Sequence, residues 1–289
     1  MNARHRIFFL LIVLGCLGSF TVSAATLVFT AIPDQDESRL KSRFSTVAAY
    51  LREQLSIDVQ YLPVKSYAAA VTAFKNGQVQ LAWFGGLSGV RARLRVPGSK
   101  AIAQGYEDQF FKTYFIANIE QTKLKQPVAN LLGLKGLTFT FGSKGSTSGR
   151  LMPEFYIRET FGAPPNKVFS RVGFSGDHSR TIALVESGAF QAGAVNYKVW
   201  EDAVANGSVA TEKVSVVWRT PPYPDYQWTI RGDADKHFGD GFSIKVTAAL
   251  LAMSEPSLLQ AFPRQSFVPA SNADYEVIET IAKSVGLID

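Results

Sequence analysis

Short apolar runs alternate with amphipathic segments along most of this chain, and this alternation limits the fold more than any other feature. Leu27–Ile32 and Gln78–Phe84 read as buried strands, while 38–55 has apolar residues at helical spacing. Ser66 is placed to cap a further helix over Tyr67–Asn76. Repeated strand–helix–strand units of this length predict a mostly parallel sheet covered by helices.

A second set of strand and helix patterns follows in the middle of the chain. Extended segments at Thr113–Ile119 and Tyr226–Arg231 separate the two sets. We therefore predict an α/β protein with two lobes, lobe 1 formed by 25–116 plus 231–289 and lobe 2 by 117–230. The later predicted elements are strand Leu137–Phe141, helix Thr147–Phe161, strand Val168–Phe174, helix Asp177–Ser187, strand Ala189–Asn196, helix Tyr197–Ala205, and two C-terminal helices, Phe242–Ser254 and Ala273–Val285, that return to lobe 1.

Residues 1–24 have the composition of a secretory signal peptide. The basic segment Met1–Arg6 precedes the apolar run Ile7–Phe20, and Val22–Ala24 ends in the small residue of a cleavage site. The apolar run is too short to span a bilayer. We predict cleavage after residue 24 or 25 and a periplasmic product. A lipoprotein acylated at Cys16 is the minor alternative.

Cleavage would remove Cys16, the one cysteine of the chain. The mature protein would then have no disulfide and no thiol nucleophile. Its net charge falls from +6 to +4, because two arginines leave with the signal peptide. This mild basicity suits a small anionic ligand but is too dispersed for nucleic acid. The densest basic cluster, Arg91, Arg93 and Arg95, is predicted to be a solvated helix end.

The most informative local segment is Phe139–Gly149, where a strand passes through a glycine-rich turn into a helix. Three hydroxyl residues, Ser146, Thr147 and Ser148, stand where the helix should begin. Free N–H groups and the helix dipole favour an anion at such a position, and the hydroxyls add donors. An ordinary N-cap is the alternative, but one such residue would be enough for it. We interpret the segment as a small-oxyanion site.

Ligands of open α/β sheets bind beyond the carboxyl ends of the strands. The loops at those ends carry hydrogen-bond donors and aromatic side chains, which are typical of a pocket for a small polar solute. For each aromatic residue the alternative to ligand contact is packing in the hydrophobic core. We prefer core packing for Trp83, and for Phe84 we weigh the two roles equally. The side chains in these loops are Tyr67, Trp83, Phe84, Ser146, Thr147, Ser148, Asp177, His178 and Tyr197.

Catalysis has little support in the sequence. Gly145–Gly149 places Thr147 where a nucleophile elbow requires serine, and Ser38–Lys41 matches Ser-x-x-Lys without its partner motifs. The mature chain has two histidines, too few for a histidine-rich metal site. We expect no enzyme, no metal and no cofactor. A secreted hydrolase that uses Asp177 and His178 with one of Ser146–Ser148 is the less favoured alternative.

Five segments carry a family resemblance in combination: Lys65–Ala70, Gln80–Gly85, Gly145–Gly149, Gly176–His178 and Pro222–Asp225. Together with the signal peptide, they resemble the phosphonate/phosphite/phosphate-binding proteins of bacterial ABC importers. The resemblance covers nearly all of the mature chain and keeps the motif order. It implies the type II periplasmic-binding-protein fold, with two lobes, mixed and mostly parallel sheets covered by helices, and a ligand cleft between the lobes.

The resemblance also implies which residues bind the ligand. In that family a hydroxyl run at a helix start holds the oxyanion, and phosphonate binders that take an amine-bearing ligand have an acidic residue near the position of Asn196 and Tyr197. This chain has none there, which predicts a ligand without an amine. The predicted ligand-binding residues are Ser146, Thr147, Ser148, Tyr67, Phe84, Gly85, Tyr114, Asp177, His178, Tyr197 and Asp225.

The predicted function is capture of a small tetrahedral oxyanion, phosphite or a small phosphonate, and its delivery to a membrane permease. A selenium or arsenic oxyanion (selenate, selenite or arsenite) is an alternative ligand, and a sensor that presents the loaded protein to a membrane kinase is an alternative role. We expect a monomer in which the ligand docks on lobe 2 first. Lobe 1 would then close through hinges near Tyr114–Asn118 and Tyr226–Arg231.

Overall fold

The computed structural model of the protein describes residues 25–35, 37–124 and 127–288. The predicted signal peptide and Cys16 lie outside these residues. The strands are β1 Leu27–Ala31, β2 Val59–Tyr61, β3 Leu81–Phe84, β4 Lys100–Gly105, β5 Thr113–Asn118, β6 Thr138–Phe141, β7 Arg171–Phe174, β8 Ala192–Asn196, β9 Val214–Arg219, β10 Gln227–Ile230 and β11 Phe267–Pro269.

Helices cover the faces of these strands. The helices are α1 Glu37–Leu55, α2 Tyr67–Lys75, α3 Gly86–Arg95, α4 Ile119–Thr122, α5 Met152–Phe161, α6 Pro165–Val168, α7 His178–Glu186, α8 Tyr197–Ala205, α9 Ala234–Phe238, α10 Phe242–Leu251, α11 Pro256–Leu259 and α12 Glu276–Ser284. Short 3₁₀ turns occupy Tyr106–Phe110, Leu131–Leu134 and Ala273–Tyr275, and a π-helical turn, Thr147–Leu151, leads into α5. None of the described helices is long and apolar enough to cross a membrane.

The strands form two sheets, in the orders β11-β4-β10-β3-β1-β2 and β7-β6-β8-β5-β9. In the first sheet β10 and β11 run against the other four strands, and in the second sheet β5 runs against the other four. Both sheets are therefore mixed, with most strands in one direction, which confirms the predicted α/β fold class. The reversed strands β5 and β10 are the two segments that were predicted to cross between lobes.

The change of sheet comes earlier in the chain than the predicted lobe boundaries. Thr113–Asn118 pairs only within the second sheet, although the prediction assigned residues up to 116 to lobe 1. Gln227–Ile230 pairs only within the first sheet, although the prediction assigned residues up to 230 to lobe 2. An isolated bridge between Phe111 and Tyr223 joins the two crossings just before each strand begins. We refer to the parts of the molecule built on the first and the second sheet as the first and the second lobe. The residue bounds of the two lobes stay a prediction.

Each sheet has its own hydrophobic core. In the first, Trp83 is buried and its ring stacks on Tyr226 with centroids 5.6 Å apart, so the core role preferred for Trp83 is confirmed. In the second, the rings of Phe139 and Phe169 stack at 4.6 Å. The C-terminal helix α10 contacts α1, since the Tyr50 hydroxyl of α1 donates to a carbonyl oxygen of α10 at 2.7 Å.

The arginines of 91–95 lie in the last turns of α3, but the prediction of a solvated cluster is correct only for Arg95. Arg91 and Arg93 are half-buried. Arg91 donates to the carbonyl oxygen of Leu287 at 2.8 Å, and Arg93 donates to the side chain of Gln227 at 2.6 Å. These two arginines tie α3 to the C-terminal segment and to the first sheet.

Candidate functional site

Hydroxyl groups are concentrated where the chain leaves β6 and enters the helical segment before α5. Ser146 is the N-cap, and its Oγ accepts the Gly149 N–H at 2.9 Å. The side chains of Ser146, Thr147 and Ser148 are exposed by only 2%, 1% and 1%. The first helical turn is a π turn, a feature that is frequent at functional sites, and its leading N–H groups have no partner within the helix. One end of a buried helix therefore presents several neutral donors together.

His178 is a neutral donor at this position. It begins α7, it is fully buried, and burial lowers its pKa to about 3. The Asn196 N–H donates to Nδ1 at 3.2 Å, which assigns the ring proton to Nε2. That nitrogen lies 3.4 Å from the Ser148 Oγ. The imidazole is thus oriented to donate beside the hydroxyl run.

Tyr67 brings a further hydroxyl from the first lobe. It is the first residue of α2, whose N-cap Ser66 accepts the Ala69 N–H at 3.1 Å. The Tyr67 side chain is buried, and its hydroxyl has no hydrogen-bond partner of good geometry among the described residues. Burial, with lesser effects of nearby carboxylates, raises the pKa of Tyr67 well above 10, so the hydroxyl keeps its proton. A buried donor without a partner is rare and calls for a ligand.

Asp225 is the acceptor in the site. Its Oδ1 accepts the Gly86 N–H at 2.9 Å, while its Oδ2 is buried without a partner among the described residues. Burial raises the pKa of Asp225 to about 7, against opposing hydrogen bonds from Thr147 and Gly86. The Leu87 N–H donates to the Thr147 Oγ1 at 3.0 Å. Gly85 allows this approach, because a Cβ there would lie 3.1 Å from Asp225 Oδ1 and 3.3 Å from Thr147 Oγ1.

A second set of polar contacts joins the lobes near His178, and we call Asp34, Asn196 and Tyr226 the interlobe latch. The Tyr226 hydroxyl donates to Asp34 Oδ2 at 2.8 Å and accepts from Asn196 Nδ2 at 3.0 Å. The His178 N–H donates to the carbonyl oxygen of Asp34 at 3.1 Å. The predicted ligand-binding residues did not include these three, although Asp34 follows β1 and Asn196 ends β8, and ligands were predicted to bind at the ends of strands.

Tyr223 is another residue that the sequence prediction missed. Its hydroxyl lies 2.6 Å from the Thr113 Oγ1, which in turn donates to the carbonyl oxygen of Ser148 at 2.9 Å. It therefore supports the hydroxyl run from behind. Tyr223 lies in the Pro222–Asp225 segment, which is one of the five that carry the family resemblance. This position was the sequence signal that could have identified Tyr223 as a site residue.

Three predicted site residues are not brought into this cluster. Tyr114 lies on the opposite face of β5 from Thr113, and its hydroxyl donates to Glu201 at 3.0 Å, so its assignment to the ligand site is corrected. Tyr197 packs its ring against Phe111 at 4.9 Å. Phe84 is fully buried with its ring against Phe74, so only its main chain adjoins the site.

Asp177 stands at the edge of the cluster. It is the N-cap of α7, and its side chain accepts the Arg180 N–H at 2.7 Å. The residues that the structure gathers are Ser146, Thr147, Ser148, Tyr67, Gly85, His178 and Asp225.

The gathered groups suit a small oxyanion that carries a proton. Hydroxyls, an imidazole N–H and helix N–H groups can donate to its oxygens, and one carboxyl can share its proton. Among the described residues, no group of three or more His, Cys, Asp or Glu could hold a metal ion. His178 also lacks the arrangement of a general base, since Nδ1 accepts a backbone N–H and Asp177 caps the helix instead of orienting the ring.

The sequence matches the family described as "ABC transporter, phosphonate, periplasmic substrate-binding protein" over residues 29–275. It is 41% identical over 265 residues, covering 89% of each chain, to a probable ABC transporter phosphite binding protein, PhnD1, of Prochlorococcus marinus (strain MIT 9301).

The fold is likewise similar to solved structures. PhnD1 from Prochlorococcus marinus in complex with methylphosphonate is 42% identical with a TM-score of 0.86, covering 91% of this chain and 99% of that one. A binding protein component of an ABC phosphonate transporter from Pseudomonas aeruginosa is 19% identical with a TM-score of 0.78, covering 89% and 85%; at that identity the likeness concerns the fold alone.

Proposed function

Because this chain belongs to the periplasmic substrate-binding proteins of phosphonate ABC transporters, we propose that it captures phosphite or a small phosphonate and delivers it to a membrane permease. The binding site would be the cluster formed by the hydroxyl run at Ser146–Ser148, His178, Tyr67 and Asp225. One relative, PhnD1 of Prochlorococcus marinus, is named for phosphite and has been solved with methylphosphonate, and this supports the choice of ligand class.

One observation carries the proposal. The Tyr67 hydroxyl and the Asp225 Oδ2 are both buried without a partner among the described residues, one beside Ser146 and the other beside Thr147. Leaving a buried polar group unsatisfied costs about 1–3 kcal/mol, so such groups are expected where a ligand completes them. The pair contains a donor and an acceptor, which is the complement of an oxyanion that still carries one proton.

The protonation of the ligand gives the proposed basis of selection. A hydrogen-phosphite or a methylphosphonate monoanion has a P–OH group that can donate to Asp225. Fully ionised sulfate or selenate has no such proton, so it would bind only where Asp225 itself carries the proton and would otherwise bury like charges together. Selenite and arsenite also carry protons near neutral pH, so they remain alternative ligands. The absence of an acid at Asn196 and Tyr197 favours a ligand without an amine.

We propose that binding, and not turnover, is the activity of the site. The proton that Asn196 assigns to His178 Nε2 points toward Ser148, so this nitrogen donates and cannot accept the serine proton. A phosphoesterase or esterase assay on the pure mature protein, repeated with His178→Ala, tests the point. Turnover that disappears in the variant would revive the hydrolase alternative.

The test of the ligand class is binding by the mature protein, residues 25–289. Thermal unfolding is measured with phosphite, methylphosphonate, phosphate, selenite, selenate, arsenite and sulfate, and each ligand that shifts the transition is followed by calorimetry. A ligand at a hundredfold excess over its Kd stabilises the folded state by about 2.7 kcal/mol. Stabilisation by phosphite or methylphosphonate is expected. Stabilisation by a selenium or arsenic oxyanion alone would show that this oxyanion, and not phosphite or a phosphonate, is the ligand. If no oxyanion stabilises the protein, the proposal is refuted.

The partner and the assembly are proposed on the same basis. A permease that receives the loaded protein is inferred from membership in an importer family, and a monomer is expected because the hydrophobic cores account for most apolar side chains. Loss of phosphite uptake on deletion of the protein, with complementation by the full chain, would support the importer role. Loss of a transcriptional response without loss of uptake would favour the sensor role, and light scattering of the mature protein tests the monomer.

A further inference from the structure

A large groove lies on one side of the site, between the lobes, and we call it the cationic groove. Its volume is about 650 Å³. The first lobe contributes α2, α3 and the C-terminal segment, and the second lobe contributes the glycine-rich turn after β6 and the end of β7. The lining residues are Ser66, Tyr67, Ala68, Val71, Thr72, Lys75, Asn76, Ser88, Arg91, Arg95, Gly142, Ser143, Lys144, Gly145, Phe174, Gly176 and Leu287.

The groove carries positive charge from both lobes. Lys75, Arg91 and Arg95 come from the first lobe and Lys144 from the second, and no aspartate or glutamate is among the lining residues. None of these four cations forms a salt bridge within the part of the chain that the structure describes. Lys144 lies over the ring of Phe174, with Nζ 5.2 Å from its centroid.

Closure of the lobes brings like charges together in this groove. Burial lowers the pKa of Arg91, and repulsion from Arg95 and from Arg150 of the second lobe lowers it further. Arg150 is itself balanced by Glu154. The remaining cations keep an uncompensated positive field over the groove, and an anion placed there would reduce their mutual repulsion.

The groove is continuous with the proposed oxyanion site. Tyr67 and Gly145 line the groove. They also border the site, because a Cβ on Gly145 would lie 2.8 Å from the Tyr67 Cβ and Ser146 follows directly in the chain. Separation of the lobes at this contact would open a direct path from the groove to the hydroxyl run.

The inner site has no cation of its own, among the described residues, to attract a ligand over distance. Its donors are the neutral hydroxyls of Ser146–Ser148 and Tyr67 and the neutral imidazole of His178. Hydrogen bonds from such groups act only at contact, whereas a cluster of exposed cations acts over about 10 Å at 0.1 M salt. The cationic groove is therefore suited to attract an oxyanion from a distance, and the inner site is suited to retain it by hydrogen bonds.

We propose that the cationic groove is an outer anion-binding site, in which the oxyanion is captured before it moves past Gly145 to the hydroxyl run. This inference rests on the proposed function. The outer site sets the association rate and its dependence on salt, while the inner site sets the dissociation rate. Clefts lined by one sign of charge can raise association rates by about 10- to 1,000-fold, and this rate falls with ionic strength.

Stopped-flow fluorescence with phosphite tests this division. The groove variant is Lys75→Gln, Arg95→Gln and Lys144→Gln, which changes three exposed side chains that make no salt bridge within the described residues. The control variant is Lys41→Gln, Lys135→Gln and Lys245→Gln, which removes the same charge from exposed positions outside the groove. We expect the groove variant to associate about tenfold more slowly than the control at low salt, with equal dissociation rates. At about 1 M salt the two association rates should converge, because charges are then screened within about 3 Å.

The outcomes separate this inference from the proposed function. Equal association rates in the two variants, or a difference confined to dissociation, would overturn the outer site while leaving the inner one intact. A slower association that persists unchanged at about 1 M salt would also contradict it, because a charge effect must be screened there. If calorimetry finds no oxyanion bound to the unaltered protein, the proposed function fails and the outer site fails with it.

Discussion

At the scale of single residues, Tyr67 carries a hydroxyl that the described part of the protein leaves without a partner. Removing it in Tyr67→Phe should weaken phosphite binding by about 10- to 150-fold, because a hydrogen bond to a charged group contributes about 1.5–3 kcal/mol. The ligand-free protein should be as stable as before or more stable, since a buried unsatisfied group is lost. Calorimetry measures the first effect and thermal unfolding without ligand measures the second.

Tyr275→Phe is the matched control, because the Tyr275 hydroxyl is also buried but donates within the first lobe to Gln104 at 3.1 Å. This variant should lose stability without ligand and keep its affinity. The reverse pattern, with Tyr67→Phe destabilised and still binding normally, would show that Tyr67 has a structural role and no ligand.

Asp225 should make binding depend on pH. Burial raises its pKa from 3.8 to about 7, so the folded protein holds this proton more tightly than the unfolded chain, and its contribution to stability is lost as pH rises through about 7. The bound oxyanion and Asp225 must share one proton. We therefore expect phosphite affinity to fall above about pH 7, by up to about tenfold per pH unit, in calorimetry from about pH 6 to 9.

Asp225→Asn should flatten this pH dependence and weaken the selection against sulfate, because an amide can donate to a fully ionised oxygen. Asp177→Asn serves as the control for the other predicted acid, which caps α7 in the structure. A flattened profile in Asp177→Asn, with an unchanged one in Asp225→Asn, would assign the shared proton to Asp177.

The residues of the site could be predicted where a local pattern specifies them. Ser146–Ser148 follow a strand and begin a helix, and His178 begins another, so the sequence places both groups at the carboxyl edge of a sheet. Tyr114 was misplaced because neighbouring residues of a strand point to opposite faces. Its neighbour Thr113 reaches the site, and only the register of β5 determines which of the two does so. The contacts of the interlobe latch form only where the two lobes approach each other, and no local sequence pattern indicates that approach.

At the scale of elements, the interlobe latch joins the loop after β1, the end of β8 and the segment before β10. Tyr226 is its centre, because its hydroxyl both donates to Asp34 and accepts from Asn196. Tyr226→Phe leaves the buried Asn196 amide without this partner, at a cost of about 1–3 kcal/mol, and removes the hydrogen bond to the half-buried Asp34. Phosphite should dissociate at least about tenfold faster, with little change in association, as measured by stopped flow.

Tyr50→Phe is the control for this prediction, since Tyr50 donates to Ala249 between two helices of the first lobe. It should lower the free energy of unfolding by about 1 kcal/mol and leave both rate constants unchanged. Faster dissociation of phosphite in both variants would show that general destabilisation causes the effect. An unchanged dissociation rate in Tyr226→Phe would show that the interlobe latch does not contribute to affinity.

The elements that could be identified from the sequence are those with a strong hydrophobic period. These include α1, α2 and the central strands, whereas β4, β9 and β11 were not predicted and α3 was predicted only at its arginine-rich end. Helix α3 begins at Gly86 and its cap, Gly85, makes no side-chain hydrogen bond, so the usual start signals are missing. Strands β9 and β11 lie at sheet edges, where one side is unpaired and the apolar pattern is weaker. Their pairing is determined by the tertiary structure.

At the scale of the whole molecule, the two lobes are joined by two crossings of the chain and by the packing of Leu151 and Met152 into the first core. The chain crosses between the sheets just before β5 and just before β10, and the Phe111–Tyr223 bridge joins the crossings. The predicted hinge segments mostly lie in paired strands, so we expect rotation at these crossings instead. Contacts at Thr147, Asp225 and the latch then hold the lobes in the closed arrangement. Rotation at the crossings would break those contacts and would also uncover Leu151 and Met152 of the second lobe, which pack in the core of the first sheet.

Gly85 should therefore control whether the molecule can close. A Cβ at this position would approach Asp225 Oδ1 and Thr147 Oγ1 to 3.1 and 3.3 Å, and the branches of valine would add to the conflict. Gly85→Val should keep both cores but prevent full closure. In small-angle scattering, phosphite should contract the unaltered protein toward a radius of gyration of about 18 Å, and the variant should stay expanded and bind at least about tenfold more weakly.

Gly133→Val is the matched control, because a Cβ added at Gly133 would meet no described atom within 4 Å and the backbone there is not left-handed. It should contract and bind like the unaltered protein. If the radius of gyration of Gly85→Val falls on addition of phosphite as far as that of the unaltered protein, the glycine is not needed for closure of the lobes. The neighbouring atoms of Asp225 and Thr147 must then shift to make room for the valine side chain. If the unaltered protein has the same radius with and without a ligand that calorimetry shows to be bound, capture does not depend on closure of the lobes.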